Sequence, residues 1–281
     1  MHQQTRPEMQ WPCSFLALLM VAPVLAASDK TAEKAAETAC TKPVYLTFDT
    51  GHMEVAPLIA DVLARHQIKV TFFAANEATI TGDGSLGAHW SPWWRERARE
   101  GHAFASHTFD HVYWRADLPG GQGGASQFRM RPTAGQASGK LMVLTAAQYC
   151  KQIRQSADRL QEITGQPSLP LFRAPGGKTS PALLSAAKEC GYAHVGWADA
   201  GFLGDELPSE KFPNQALLSK ALRDVRSGDI LMAHLGIWSR KDAWAPSVLE
   251  PLISGLQAKG FCFETLRTHP VYSGWIAQHK G

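Results

Sequence analysis

Val44-Tyr45-Leu46-Thr47-Phe48-Asp49-Thr50-Gly51 is a short apolar, β-prone run that stops on a carboxylate and a glycine turn. Immediately downstream, Pro57 to His66 carries Leu58, Ile59, Val62 and Leu63 at helical spacing behind an N-terminal proline. The same alternation repeats. Strands are predicted at Val70–Ala74, His102–Ala105, Leu171–Arg173, Ala193–Trp197, Ile230–Ala233 and Phe261–Glu264. Helices are predicted at Trp93–Glu100, Ala146–Thr164, Ser180–Cys190, Asn214–Val225 and Ser247–Lys259. Glycines 191 and 260 follow the last residues of two of these helices, where a left-handed residue ends the turn. About seven strand–helix units in one chain predict an α/β fold, a distorted (β/α)7 barrel formed by a single domain. A doubly wound open sheet is the alternative, but no glycine-rich dinucleotide fingerprint follows the first strand.

The chain has 281 residues, 44% hydrophobic and 19% charged, with a net charge of +3. That composition supports a sizeable core. The basic residues form no run, so nucleic acid is not expected as a partner. Near the N-terminus an apolar stretch, Trp11 to Ala27, is interrupted by Pro23 and ends in Val24-Leu25-Ala26-Ala27. It is short for a bilayer span and closes on small residues. This predicts a signal peptide over residues 1–26, export to the periplasm or beyond, and no stable membrane anchor. A polar lead-in at 27–41, a folded domain at 42–270 and a tail at 271–281 complete the division. Residues 113–145, with Gly120-Gly121-Gln122-Gly123-Gly124, Arg129 and Arg131, lack periodicity and are expected to be a long inserted loop. Cys40, Cys150, Cys190 and Cys262 remain after removal of the leader, an even number whose pairing stays open.

In a parallel β/α fold, reactive groups gather at the C-terminal ends of strands. Here those ends carry Asp49, the run Ser106-His107-Thr108-Phe109-Asp110-His111, Arg173, Asp199 and His234. His107 and His111, four apart, would share one face of a helical turn and reach one divalent ion. Asp49 follows an apolar strand, where burial raises a carboxylate's pKa toward that of a base, and Arg173 is placed to hold it ionised. His234 ends an apolar run and is suited to donate a proton. Each has a plainer local reading as well: a turn aspartate, a surface arginine beside Pro175-Gly176-Gly177, a satisfied core histidine.

Together these segments resemble the polysaccharide deacetylases, the NodB-homology or carbohydrate esterase family 4 enzymes. Thr47-Phe48-Asp49-Thr50-Gly51 resembles the family's Thr-Phe-Asp-Asp-Gly motif, and His107 to His111 its His-(Ser/Thr)-x-x-x-His motif. Phe172-Arg173-Ala174-Pro175 resembles the Arg-x-Pro motif, and Ile230 to His234 the final apolar strand ending in histidine. Trp197-Ala198-Asp199 matches the remaining motif only loosely. The resemblance implies one divalent ion (Zn, Co or Mn) on His107 and His111, with Asp49 as general base. It also implies Arg173 orienting Asp49, and His234 protonating the leaving amine, tuned by Asp199. Leu231, Trp197 and Pro175 would line the substrate pocket. The usual third protein ligand is an aspartate where this chain has Thr50, so the ion is expected to be held weakly there, with His52 and Glu54 as nearby substitutes. A muramic-acid deacetylase subgroup also has a non-acidic residue at that position, which turns the expected substrate toward peptidoglycan. The expected function is thus N-deacetylation of an N-acetylated glycan by a monomeric, metal-dependent enzyme. A catalytically silent sugar binder and a deacylase of a small non-sugar amide are the alternatives.

Overall fold

The computed structural model describes residues 40–120 and 126–279. The predicted leader, most of the lead-in and part of the glycine-rich stretch lie outside the described residues. The chain order is β1 (Pro43–Asp49), α1 (Ala56–Arg65), β2 (Thr71–Ala74), α2 (Ser91–Arg99), β3 (Ala103–Ser106), β4 (Val112–Leu118), β5 (Gln127–Pro132), β6 (Met142–Thr145) and α3 (Ala146–Thr164). It continues with β7 (Leu171–Phe172), α4 (Pro181–Glu189), β8 (Ala193–His194), α5 (Asn214–Asp224), β9 (Ile230–His234), α6 (Leu249–Ala258), β10 (Cys262–Phe263) and α7 (Ser273–Gln278).

Strands β9, β1, β2, β3, β7 and β8 run parallel in that order, and β10 pairs with the first residues of β1. Between β8 and β9 no ladder forms; the segment from Ala198 to Leu203 closes the gap through single hydrogen bonds to the carbonyls of Ile230 and Met232. The result is the expected distorted barrel. Strand alternation sorts the side chains. Val44, Leu46 and Phe48 face outward into a core shared with α1 and α6, whereas Tyr45 packs inside with Phe73, Ala105, Leu171 and Ile230. Moving up the interior, that apolar floor gives way to Thr47, Asp49, Arg173 and His234. Along the barrel interior, ionisable side chains therefore gather at the C-terminal ends of the strands.

The insert is not a loop. Strands β4, β5 and β6 form an antiparallel sheet whose Val112, Phe128, Met130 and Leu144 pack on Tyr149 and Ile153 of α3 and Leu183 of α4. Its period-2 alternation is carried by Phe128 and Met130 against Arg129 and Arg131, a pattern too short to stand out beside the glycines. Thr145 caps α3 through the Gln148 amide, and Gln148 returns the bond, so the sheet leads directly into a long helix. The tail also belongs to the fold: Ile276 of α7 is buried beneath the barrel with Leu169, Leu171 and Leu266. The cysteines pair as Cys40–Cys262, tying the entry of β1 to β10, and Cys150–Cys190, tying α3 to the end of α4. No helix among the described residues is long and apolar enough to cross a membrane.

Candidate active site

The ionisable strand ends meet in a cleft of about 450 Å³ at the C-terminal mouth of the barrel. Asp49 and Arg173 form its floor. The Arg173 Nη1 donates to Asp49 Oδ1 at 2.7 Å and to Thr47 Oγ1 at 2.9 Å, while its other donors reach the carbonyls of Val195 and Gly196. The guanidinium also lies 4.2 Å over the Phe73 ring. Both side chains are almost fully buried. Burial alone would raise the Asp49 pKa, but Arg173, His107 and His234 outweigh it, and the carboxyl is held below its ordinary value. The sequence-based expectation of a raised pKa is thus reversed, and Asp49 is an ionised acceptor throughout the neutral range.

His107 and His111 stand on the wall above. Their approach is not helical. Thr108 and His111 have φ of +60° and +49°, so the segment after β3 is a tight left-handed turn rather than a helical one. It still brings the two Nε2 atoms to 3.2 Å from each other. His107 Nδ1 donates to the Arg173 carbonyl at 2.9 Å, which leaves its Nε2 as the lone-pair atom facing the cleft. Asp49 Oδ2 is 3.6 Å from that Nε2. His111 Nδ1 is held at 2.6 Å by Thr133 Oγ1. Burial, then the neighbouring His107, depresses His111 to about 4 against the pull of Glu77 and Asp49, so its imidazole is neutral near pH 7.

Opposite these groups sits His234. The carboxylate against it is Asp205, not Asp199. Asp205 accepts the His234 backbone N–H at 2.7 Å and lies 3.1 Å from Nδ1, while Asp199 is exposed. Burial works against the imidazolium, yet Asp205, with Asp49 and Glu206, overcomes it and raises His234 to about 9. Trp197 lines the cleft. Leu231 does not: on β9 it points outward into the core, and Met232, in step with His234, reaches the cleft instead. Pro175 is buried beneath, and Gly176 lines the wall above it. From the insert come Tyr113 and Thr133, whereas Trp114 bonds Asp117 and Arg129 and Arg131 face away. The mouth is edged by Trp238, 68% exposed. Gly51 is needed where β1 leaves this site, because a Cβ there would collide with the Gly236 carbonyl oxygen.

The polysaccharide deacetylase family profile matches residues 36–195. The chain belongs to the polysaccharide deacetylase family. It is 25% identical over 233 residues to the chitooligosaccharide deacetylase of Azorhizobium caulinodans, covering 79% of this chain and 92% of that protein. It is 24% identical over 226 residues to the peptidoglycan-N-acetylmuramic acid deacetylase PdaA of Bacillus subtilis, covering 80% of this chain and 70% of that one. Its fold matches a family 4 acetyl xylan esterase from Clostridium thermocellum, solved with a cobalt ion, with a TM-score of 0.61, 21% identity and coverage of 83% and 92%.

This polysaccharide deacetylase departs from its family's pattern at Thr50. The Thr50 hydroxyl donates to Glu77 Oε2 at 2.7 Å and accepts from the Ala75 N–H at 3.0 Å, so its proton and one lone pair are already engaged. His52 accepts the Glu54 N–H and stacks edge-on to Trp238, and Glu54 is exposed, so neither replaces the missing ligand in the cleft. Among the described residues no three His, Cys, Asp or Glu side chains stand ready to hold an ion jointly. The donor set still fits a divalent cation through two imidazoles: nitrogens bound to one ion at 2.0–2.1 Å lie about 3.0–3.4 Å apart, and the two Nε2 atoms are at 3.2 Å.

Proposed function

We propose that this deacetylase hydrolyses the N-acetyl amide of an N-acetylated glycan, peptidoglycan first among them, and releases acetate. The observation that carries the reading is the opposition of an arginine-clamped carboxylate, Asp49, to a carboxylate-backed imidazole, His234, with two further imidazoles converging between them. His107 and His111 would hold a divalent cation. When bound, such a cation supplies Lewis acidity for the acyl oxygen and acidifies water. Asp49 takes the proton from the attacking water. Arg173 fixes its orientation and keeps it ionised. His234, protonated at neutral pH, delivers its proton to the departing nitrogen, and Asp205 maintains that charge. Trp197, Tyr113 and the exposed Trp238 offer faces on which sugar rings stack. Two disulfides suit an exported chain in an oxidising compartment, acting as a monomer.

Acetate release from peptidoglycan and from chitin oligomers tests this reading. Release is expected to stop on dialysis against a chelator and to return with Co, Zn or Mn. Release unaffected by chelation removes the cation from the proposal. Glycan binding without release under every metal favours the silent sugar binder that Thr50 motivates.

The alkaline side of the pH profile follows from His234. Its folded pKa is raised, so the protonated acid is fully present below the ordinary histidine value and is lost as pH rises through about 9. A bound dication lowers that limit in the loaded enzyme, so the informative quantity is the difference between proteins. Asp205→Asn removes the largest raising influence and leaves burial to dominate. Its alkaline limb is expected at lower pH than that of the wild type. Superimposable limbs would remove His234 as the acid.

A further inference from the structure

We infer that Glu77 replaces, from the segment that follows β2, the negative charge that the cation site lacks at residue 50. The inference rests on the two-imidazole site above and adds a residue that no sequence motif marks. Two observations place it. Glu77 Oε2 receives the Thr50 hydroxyl proton at 2.7 Å, so a carboxylate oxygen lies one hydrogen bond from the very side chain that is uncharged here. Its other oxygen is 3.4 Å from Nδ1 of His111. One carboxylate thus touches both the vacated position and one of the two ligand imidazoles, and it lines the same cleft.

The charge is held there rather than passing through. The Glu77 backbone N–H donates to the Ser85 hydroxyl and its carbonyl accepts from the Ser85 N–H, while Asn76 bonds the Phe109 carbonyl of the histidine turn. An aspartate at residue 50 would set a second carboxylate beside Glu77, and like charges at that separation oppose each other's ionisation. Thr50 and Glu77 are therefore read as one exchange: the anion moves from the residue after β1 to the segment after β2, and the hydroxyl left behind orients it. Glu77 acts as a positioning and charge-neutralising residue for the cation, through His111 and Thr50.

The test is cobalt(II) affinity, measured by calorimetry and by the visible absorption of the bound ion, on the metal-stripped full chain. Glu77→Gln is expected to weaken binding by about 10–100-fold, the usual effect of losing a carboxylate that supports a ligand histidine. The double variant Thr50→Asp with Glu77→Gln, which returns the charge to residue 50, is expected to restore wild-type affinity. That rescue also separates the effect from misfolding, as does an unchanged thermal midpoint of the stripped single variant. Wild-type affinity in Glu77→Gln, with cobalt still bound by both proteins, overturns the role of Glu77 and leaves the proposed function standing. Absence of cobalt binding by the wild type overturns the role of Glu77 together with the two-imidazole cation site it rests on, while acetate release decides the hydrolysis separately.

Discussion

Asp49→Asn is expected to lower kcat/KM for acetate release by about 10²–10⁴-fold, the contribution of a positioned base. The substitution keeps the size of the side chain and an oxygen that accepts from Arg173, but it cannot take a proton. Asp49 is well suited to show this cleanly because its ionisation does not vary near neutrality: Arg173, His107 and His234 hold its pKa below the ordinary carboxylate value against burial. Residual activity should therefore be flat across the neutral range rather than recovering at high pH. Steady-state release assays on the variant, with cobalt binding measured in parallel, separate loss of the base from loss of the ion. Activity within a fewfold of wild type would remove Asp49 from the chemistry.

Arg173→Met is expected to destabilise the fold by about 3–5 kcal/mol, because it strips the counter-charge from a buried carboxylate. For a domain of this size that is a fall in thermal midpoint of roughly 6–20 °C. Four groups lose their donor at once: Asp49, Thr47 and the carbonyls of Val195 and Gly196. Methionine fills the volume, so the effect reports charge and hydrogen bonding more than packing. The variant's acidic limb should also move to higher pH. Without the guanidinium the burial of Asp49 prevails and its pKa rises, so the ionised base is lost sooner as pH falls. Denaturant unfolding and a pH–rate profile check the two halves independently. A midpoint within a degree or two of wild type would mean that Asp49 is neutral in the fold.

The barrel was readable because its strands end on ionisable groups and its helices keep a 3.6-residue period between proline starts and glycine stops. The cleft was readable where a motif sits on a strand end, as with Asp49, His107, Arg173 and His234. It was not readable where a residue acts from a connecting segment. Asp205 lies 29 positions before His234, after the strand-free closure of the barrel, and nothing local marks it. Glu77 is equally unmarked, one carboxylate in a polar turn. Met232 is different, since the two-residue period counted back from His234 selects it over Leu231. The insert hid its strands because glycines interrupt it between them, and pairing there is decided by the surface of α3 beneath it.

Strand β4 begins at Val112, the residue after His111, and Thr133, which grips the His111 ring, follows β5. The appended sheet is thus mechanically coupled to the His111 imidazole at both its entrance and its far side. Shortening the hairpin to admit a bulkier polymer would not simply open the door wider. It would also loosen the grip of Thr133 on the His111 ring, so the width of the cleft and the placement of that imidazole cannot be altered separately.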